Sequence, residues 1–223
     1  MKSISDIKHA FYINLEERED RKIHVEQQLQ SVGICATRFN AIKMENGAVG
    51  CSMSHLKCLQ TAFENGWDHV LICEDDITFL NPELFKTQLN TFLEKQRKNE
   101  SWDVILLAGN NIPPYKPIDD TCIQVFTCQT TTGYIVNGDY IKRLLDNVRM
   151  GLAYLLKNPL HHRLYAIDKF WFHLQKVGQW FLIIPLTVVQ QPGYSDIEKK
   201  EINYNKIMTD LDKPYLFHKH HNS

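Results

Sequence analysis

Three consecutive acids, Glu74, Asp75 and Asp76, directly follow an apolar run at residues 70–73. An apolar run of this length predicts a buried strand. Because an ionised carboxylate is costly to bury, acids at a strand end need a cation, hydrogen-bond donors or solvent to remain charged. Carboxylate oxygens are the ligands that hard divalent cations prefer. The segment therefore predicts a metal or nucleotide site, and the alternative is a solvated acidic loop.

The alternation of side chains along a strand predicts which of these acids act together. Glu74 and Asp76 are expected to project to one side, and Asp75 to the other. The first side would hold a metal and a ribose, while the other would serve the structure.

Two arginines lie just past the first predicted strand. Arg18 and Arg21 are three residues apart, so they share one helical face, where guanidinium groups bind phosphate through paired donors. The alternative is an exposed helix start in which both arginines pair with the acids of residues 16–20.

Ser54 and His55 suggest a second anion site. Ser54 is expected to cap a helix, and His55 beside it would meet a ligand at the helix N-terminus, where free amides favour anions. The alternative for His55 is a structural hydrogen bond. No GKS or GKT sequence follows a glycine-rich loop, so NTPase chemistry lacks its main support.

Further candidates lie in the second half. Asp168 precedes an aromatic run, where it would either cap a helix or act as a general base from a cleft. Gln190 ends a late strand, where its amide would bind a phosphate or hydroxyl, or satisfy a turn. The tail histidines could ligate a metal or belong to a frayed terminus; they are His218, His220 and His221.

The elements that must position these residues alternate between strand and helix. The first half predicts strands at 10–15, 36–42, 70–73 and 103–107. It also predicts a helix closed by Gly33, a turn at Asn46-Gly47 and a helix opening at Asn81-Pro82. Between them it predicts a helix from Ser54 to Gly66 with Leu56, Leu59 and Phe63 buried. The second half predicts a loop at 110–120, short strands at 122–128 and 132–136, a helix at 140–147, a helix or lid at 151–163, and a strand at 180–189 broken by Pro185. This alternation favours an α/β sheet with helices on both faces and a crevice beyond the carboxyl ends of its strands.

Size and composition narrow the class of protein. The 223 residues predict one domain, and a net charge of -1 gives no bulk electrostatic argument for nucleic acid or an anionic membrane. The six cysteines form no CxxC pair, so reduced core thiols are expected rather than a zinc ribbon. The N-terminus lacks an apolar leader, and no segment reaches the roughly 20 apolar residues that span a bilayer. These features predict a cytoplasmic protein.

The motifs, in this order, resemble glycosyltransferase family 25, which includes bacterial lipooligosaccharide galactosyltransferases and the catalytic modules of procollagen galactosyltransferases. The resemblance covers roughly residues 10–197, and the tail at 198–223 is expected to be a polar extension. The matching segments are 11–15 through Arg18, Asp20 and Arg21; Phe39 with Ala41; 50–56; 71–76; and, more weakly, 103–107, 133–136, 167–168 and 185–195.

The resemblance implies a GT-A type glycosyltransferase fold with a Rossmann-like mixed sheet flanked by helices. It implies a UDP-sugar donor, Mn²⁺ (or Mg²⁺) at a DxD-like acidic motif, and inverting transfer. Carried onto this sequence, it makes Glu74 and Asp76 metal contacts and Glu74 and Asp75 nucleotide or ribose contacts. Asp168 becomes the base, and the nucleotide side is lined by Asn14, Arg18, Arg21, Ser54, His55 and Gln190.

The expected function is the transfer of galactose or glucose from a UDP-sugar to a glycan or a hydroxylated side chain, as in lipopolysaccharide biosynthesis. The alternative is a non-catalytic module that binds glycans or nucleotide sugars with the same fold. A sugar-nucleotide nucleotidyltransferase would want a glycine-rich basic loop after the first strand, where this chain has Glu16-Glu17-Arg18 instead.

Overall fold

A computed structural model of the chain describes residues 1–99, 101–195 and 200–216. The tail histidines of the sequence prediction, His218, His220 and His221, lie outside the described residues. Part of the polar extension expected over 198–223 also lies outside them.

Strands and helices alternate through the first half of the chain, as the sequence predicts. The strands of the described residues are β1 (Ala10–Asn14), β2 (Thr37–Asn40), β3 (His69–Glu74), β4 (Ile77–Phe79), β5 (Val104–Leu106), β6 (Asn110–Asn111), β7 (Tyr115–Pro117), β8 (Cys122–Val125), β9 (Cys128–Gln129), β10 (Gly133–Asn137), β11 (Trp180–Ile183), β12 (Val188–Gln190), β13 (Gly193–Ser195) and β14 (Lys200–Ile202). The α-helices are α1 (Glu19–Ser31), α2 (Gly47–Glu64), α3 (Pro82–Asn99), α4 (Gly138–Lys157), α5 (His162–Tyr165), α6 (Ile167–Phe170), α7 (Phe172–Val177) and α8 (Asn205–Thr209). Single 3₁₀ turns span Ile4–Asp6, Pro159–His161 and Pro214–Leu216.

The main sheet has eight strands in the order β2-β1-β3-β10-β5-β11-β8-β7. β2, β1 and β3 run parallel, and β10 lies antiparallel between β3 and β5. β11 is parallel to β5, and antiparallel β8 and β7 complete the far edge. The carboxyl ends of β1, β3 and β5 therefore meet the start of β10 along one edge, where a ligand crevice is expected.

Successive side chains of the buried strands enter opposite cores, so the sheet is apolar on both faces. Leu71 packs on one face with α1 and α3, while Val70 and Ile72 pack on the other with α2 and α4. The expectation of an α/β class with a mixed sheet flanked by helices is confirmed.

The start of α2 differs from the prediction. The helix begins at Gly47, because the Asn46 side chain accepts hydrogen bonds from the Ala48 and Val49 amides. The predicted turn at Asn46-Gly47 is thus the cap itself, and the predicted cap at Ser54 is wrong. Phe63, expected to be buried, is 46% exposed, since the buried face of the longer helix runs through Cys58, Leu59 and Ala62 instead.

Other helix boundaries follow local sequence signals. Gly33 and Gly66 lie just beyond α1 and α2 with positive φ, a conformation that favours glycine. α3 begins at Pro82, with the Asn81 side chain accepting from the Leu84 amide. The 151–163 stretch, predicted as a helix or a lid, continues α4 as far as Lys157.

The remaining corrections concern the second half. The 110–120 segment, predicted as a loop, contributes β6 and the edge strand β7. All six cysteines are free, and four of them are buried, whereas Cys35 is exposed. Within the described residues, every helix is too short or too polar to cross a bilayer.

Candidate active site

A cleft of about 960 Å³ opens at the sheet edge where β1, β3 and β5 end. It is lined by all three acids of the 74–76 segment and, from other elements, by Arg18, Arg21, Cys51, Ser54, Thr130, Thr131, Asp168, Lys169 and Gln190. The fold thus brings together charged residues from distant parts of the sequence. Small-molecule sites commonly have volumes of roughly 300–1,000 Å³, which suits this cleft to a small ligand.

Glu74 ends β3 and is held by three side chains. Thr131 Oγ1 donates to Glu74 Oε1 at 2.7 Å, His55 Nε2 lies 3.3 Å from the same oxygen, and Cys51 Sγ lies 3.4 Å from it. Burial alone would raise the pKa of Glu74, but the hydrogen bonds from His55, Thr131 and Cys51 hold that pKa below its usual value. Glu74 is therefore an oriented carboxylate on the cleft wall.

Asp75 and Asp76 lie in the turn after β3, beside Arg21 of α1. Arg21 Nη1 donates to Asp75 Oδ1 at 3.1 Å and lies 3.7 Å from Asp76 Oδ2. Asn14, at the end of β1, donates to Asp75 Oδ2 at 2.8 Å. Both oxygens of Asp75 thus have partners, and one guanidinium group serves two carboxylates.

The negative charge of Asp76 has fewer compensating partners than that of Asp75. Gln190 Nε2 lies 3.4 Å from its Oδ2, whereas its buried Oδ1 has no hydrogen-bond partner among the described residues. Burial and the negative charge of Glu74 raise the pKa of Asp76 well above its usual value. A divalent cation would supply the missing positive charge at Asp76, because carboxylate oxygens are the donors that hard metal ions prefer.

The acids are arranged differently from the predicted alternation. Because β3 ends at Glu74, the turn places Asp76 with Asp75 on the Arg21 side, and Glu74 lies on the His55 side. Among the residues that the structure describes, the metal-ligand group of three or more that forms is Cys51, His55 and Glu74, with ligand atoms within 4.8 Å of one another. The three consecutive acids form no such group.

Asp168, the predicted base, lies in α6 on the opposite wall of the cleft. Its Oδ2 accepts a hydrogen bond from the Thr130 amide at 3.3 Å and lies 3.7 Å from Lys169 Nζ. The alternative role as a helix cap is wrong, because the residue at the N-cap of α6 is Ala166. Burial, and to a smaller extent the charge of Glu74, raise the pKa of Asp168. A carboxylate with a raised pKa is a stronger base.

The loop between β9 and β10 connects the two walls. The Thr130 amide bonds Asp168, and the Thr131 hydroxyl bonds Glu74. Thr130 has a φ of 80°, a left-handed conformation that is uncommon for residues other than glycine, and its buried Oγ1 has no partner among the described residues. Backbone strain of this kind often occurs at functional sites.

The remaining predicted residues divide between the cleft and its support. Arg18 and Gln190 line the cleft, and Arg18 also forms a two-point ion pair with Asp20. Asn14 is buried. Its side-chain nitrogen donates to Asp75 Oδ2 and to the Arg18 carbonyl, and its side-chain oxygen accepts from Arg38 Nε. Asn14 therefore supports, from the interior of the protein, the turn formed by Asp75 and Asp76 (the acidic turn).

Ser54 and His55 lie well inside α2 and not at its start. Ser54 Oγ donates to the Gly50 carbonyl and accepts from the Ile42 amide, so it ties α2 to the loop after β2. His55 is fully buried between Glu74 and Tyr134, whose hydroxyl lies 2.8 Å from Nδ1. The expected anion site at their helix N-terminus is wrong, because the cap of that helix is Asn46.

Four residues of the site did not stand out as candidates in the sequence: Cys51, Thr130, Thr131 and Tyr134. Cys51 is four residues before His55, so an earlier helix start would have placed both on one face. The two threonines are ordinary loop residues in sequence. The approach of β10 to β3 gives Thr131 its partner Glu74, and α6 supplies Asp168 as the partner of Thr130.

Comparison with known proteins identifies the family of this chain. A family model described as "Glycosyltransferase family 25 (LPS biosynthesis protein)" matches residues 43–171, which include α2, the acidic turn and Asp168. The chain belongs to glycosyltransferase family 25, as its motifs predict.

A curated relative is similar to the chain at a lower level. It is a "Glycosyltransferase 25 family member" of Aedes aegypti, 22% identical over 172 residues. The match covers 63% of this chain and 28% of the relative. The chain therefore corresponds to just over a quarter of that protein.

Solved structures with a similar backbone include a glycosyltransferase involved in glycosylation of the major capsid of PBCV-1, with a TM-score of 0.48, 12% identity, and coverage of 78% of this chain and 80% of that one. A197 from STIV has a TM-score of 0.47 and 12% identity, covering 87% and 92% of the two chains. A Drosophila β-1,4-galactosyltransferase 7 mutant in complex with manganese, UDP-Gal and xylobiose has a TM-score of 0.34 and 15% identity, covering 61% and 51%. Similarity at this level carries no information about donor or acceptor.

Proposed function

We propose that this protein is a metal-dependent glycosyltransferase that moves a hexose, galactose or glucose, from a UDP-sugar to a glycan or a hydroxylated side chain with inversion. The observation that carries the proposal is the acidic turn, where Asp76 keeps a buried carboxylate oxygen without a partner among the described residues, beside the cleft. An Mn²⁺ or Mg²⁺ ion with its diphosphate would compensate that charge. We further propose that the reaction takes place in the cytoplasm.

The donor would occupy the side of the cleft formed by β1, α1 and the acidic turn. Glu74 and Asp76 would hold the cation, and Asp75, kept in place by Asn14 and Arg21, would face the nucleotide. When bound, the cation offsets the negative charge that develops on the leaving diphosphate. Arg18 lines this side of the cleft, and its guanidinium group suits a phosphate.

The acceptor would enter from the wall that carries Asp168. In an inverting transfer the acceptor hydroxyl attacks the anomeric carbon from the face opposite the diphosphate. A glycosidic bond forms as the bond to UDP breaks, and the hydroxyl proton passes to the Asp168 carboxylate. The Thr130 amide and the Lys169 ammonium favour the ionised form of that carboxylate, which must be ionised to accept the proton.

A panel of sugar nucleotides tests the donor. Each UDP-sugar is added with Mn²⁺, binding is followed by the melting temperature, and turnover is followed by UDP release. The proposal expects one UDP-hexose to be both bound and hydrolysed or transferred. If UDP binds but no UDP-sugar releases UDP, with or without an acceptor mixture, the alternative of a non-catalytic binding module replaces the enzyme.

A further inference from the structure

A second metal-ligand set lies beside the acidic turn. It combines a thiol, an imidazole and a carboxylate from Cys51, His55 and Glu74, with the three ligand atoms within 4.8 Å of one another. This donor set differs from the all-oxygen set expected for Mn²⁺ or Mg²⁺. Sulfur and nitrogen ligands select zinc and similar transition metals, whereas hard cations prefer oxygen.

Two of the three distances between the ligand atoms match a tetrahedral zinc site. Zinc–ligand lengths of about 2.0–2.3 Å at tetrahedral angles place neighbouring ligand atoms roughly 3.3–3.6 Å apart. Cys51 Sγ lies 3.4 Å from Glu74 Oε1, and His55 Nε2 lies 3.3 Å from the same oxygen. Two of the three ligand pairs are therefore already at the spacing that the ion requires.

The supporting contacts also fit a metal ligand. His55 Nδ1 lies 2.8 Å from the Tyr134 hydroxyl, whose oxygen can accept a hydrogen bond from a protonated Nδ1 and so leave Nε2 free to coordinate. Cys51 and His55 are one turn apart on α2, so the helix fixes their spacing. Cys51 and Glu74 line the cleft, which gives an ion a path from solvent and room for a fourth ligand.

We propose that Cys51, His55 and Glu74 form a binding site for Zn²⁺ or a similar thiophilic cation, with Tyr134 orienting the histidine. Binding displaces the Cys51 thiol proton to solvent, and the imidazole proton moves from Nε2 to Nδ1, where the Tyr134 hydroxyl oxygen accepts it. The site shares Glu74 with the proposed donor cation site and differs from it in its other ligands, Cys51 and His55. If the proposed transferase function holds, Zn²⁺ inhibits transfer by competing for Glu74.

Cobalt spectroscopy tests the site without any turnover. Co²⁺ is titrated into the metal-free protein, and Zn²⁺ then displaces it. The proposal expects a near-ultraviolet sulfur-to-cobalt charge-transfer band in wild type, its loss in Cys51→Ser, and its retention in Cys35→Ala, which removes the exposed cysteine. A wild-type protein without the band, or a band that is lost in Cys35→Ala and kept in Cys51→Ser, would overturn the proposal.

A second variant keeps the test independent of folding defects. Tyr134→Phe retains the buried ring and removes only the hydroxyl, and loss of such a partner typically lowers metal affinity by about 10–100-fold. We expect Tyr134→Phe to weaken Zn²⁺ binding by about that factor while the metal-free protein stays folded. Unchanged Zn²⁺ affinity in this variant would contradict the assigned role of Tyr134. Because this readout needs no sugar nucleotide, its failure and failure of the transferase proposal are separate results.

Discussion

Asp76 and Glu74 are two residues apart, but their carboxyl groups have pKa values shifted in opposite directions. Glu74 accepts three hydrogen bonds on one oxygen, whereas Asp76 is buried with one oxygen that has no partner among the described residues. The pKa of Glu74 is accordingly lowered, and that of Asp76 is raised. In the metal-free protein, the ionised Glu74 carboxylate therefore stabilises the folded state, whereas the ionised Asp76 carboxylate destabilises it.

This difference predicts opposite effects of two isosteric substitutions. The contribution of Asp76 to stability falls as pH rises from its unfolded pKa through its raised folded pKa, so Asp76→Asn should raise the melting temperature at neutral pH. Glu74 contributes stability above its unfolded pKa that is lost as pH falls through its lowered folded pKa, so Glu74→Gln should lower it. Each 1 kcal/mol corresponds to about 2–4 °C for a domain of this size.

Differential scanning fluorimetry in the presence of a chelator measures both shifts. Wild type and the two variants are compared at neutral pH and again near pH 4. A fall of the melting temperature in Asp76→Asn at neutral pH would mean that the turn holds the Asp76 carboxylate favourably without a cation, which is the opposite of what its burial and missing partner predict.

Asp168 gives a second prediction at this scale. Removal of a general base typically costs about 10²–10⁴-fold in rate, so Asp168→Asn should lower kcat by that order while the protein stays folded. In wild type, transfer should decline as pH falls through the raised pKa of Asp168, because the protonated carboxyl accepts no proton. Lys169→Met removes a charge that lowers this pKa, so it should move the acid limb of the kcat profile to higher pH.

The control for this prediction is Lys142→Met, since Lys142 lies on the exposed face of α4 and pairs with Asp146 away from the cleft. Its kcat profile should match that of wild type. If the kcat profiles of wild type, Lys169→Met and Lys142→Met were all the same, Asp168 would be excluded as the titrating base.

At the scale of elements, sequence signals located most strands and helices, and the failures have local causes. Gly33, Gly66 and Asn81-Pro82 mark helix ends because their backbone or capping preferences act within a few residues. The start of α2 was misplaced because Asn46 and the weakly periodic Gly47-Ala48-Val49-Gly50 resemble a turn. The edge strand β7 was missed because its pairing with β8 is not visible in a proline-rich segment.

The candidate site shows the same division. The acids of 74–76 and Asp168 were predictable, because a charged residue next to a buried apolar run needs a cation, hydrogen-bond donors or solvent to remain ionised. Thr130 and Thr131 were not, since their partners come from elements far apart in sequence. Nor was the orientation of Asp76, which depends on β3 ending at Glu74 instead of continuing its alternation.

The junction of α2 with the loop after β2 provides a prediction for elements. A Cβ on Gly50 would overlap the Ile42 carbonyl oxygen and lie 3.3 Å from the Met44 nitrogen, both backbone atoms. Gly50→Ala should therefore destabilise the protein by about 1–3 kcal/mol, although glycine to alanine usually stabilises a helix interior. Chemical denaturation measures the change, with Lys57→Ala on the exposed face of α2 as the matched control. A stabilised Gly50→Ala protein would show that α2 does not pack on this loop as described.

At the scale of the whole molecule, the sheet carries apolar cores on both faces and gathers the charged residues of the cleft at one edge. Helices α1 and α3 cover one face and α2 and α4 the other, so the cleft lies where strand ends and helices meet. A ligand that fills this cleft would contact β1, β3 and the loop before β10 together, so its binding free energy would stabilise the native state as a unit.

Ligand-induced stabilisation follows from that arrangement. At 100 times Kd, a ligand adds about 2.7 kcal/mol to the free energy of unfolding. By the same scaling, UDP with Mn²⁺ should raise the melting temperature of wild type by roughly 5–11 °C. UDP with a chelator should give a smaller shift, and Asp76→Asn should show little gain from Mn²⁺. Equal shifts with and without Mn²⁺ would contradict a metal-assisted donor site.

Sugar transfer from a nucleotide sugar at the acidic turn is tested most directly by UDP release. Wild type and Asp76→Asn are incubated under matched conditions with UDP-galactose or UDP-glucose, Mn²⁺ and an acceptor mixture, and UDP is quantified over time. We predict release by wild type that is abolished by chelation and falls by at least about 10²-fold in Asp76→Asn, as expected when a transition-state charge loses its compensation. Equal UDP release by both proteins would place the chemistry elsewhere and contradict a donor site at the acidic turn.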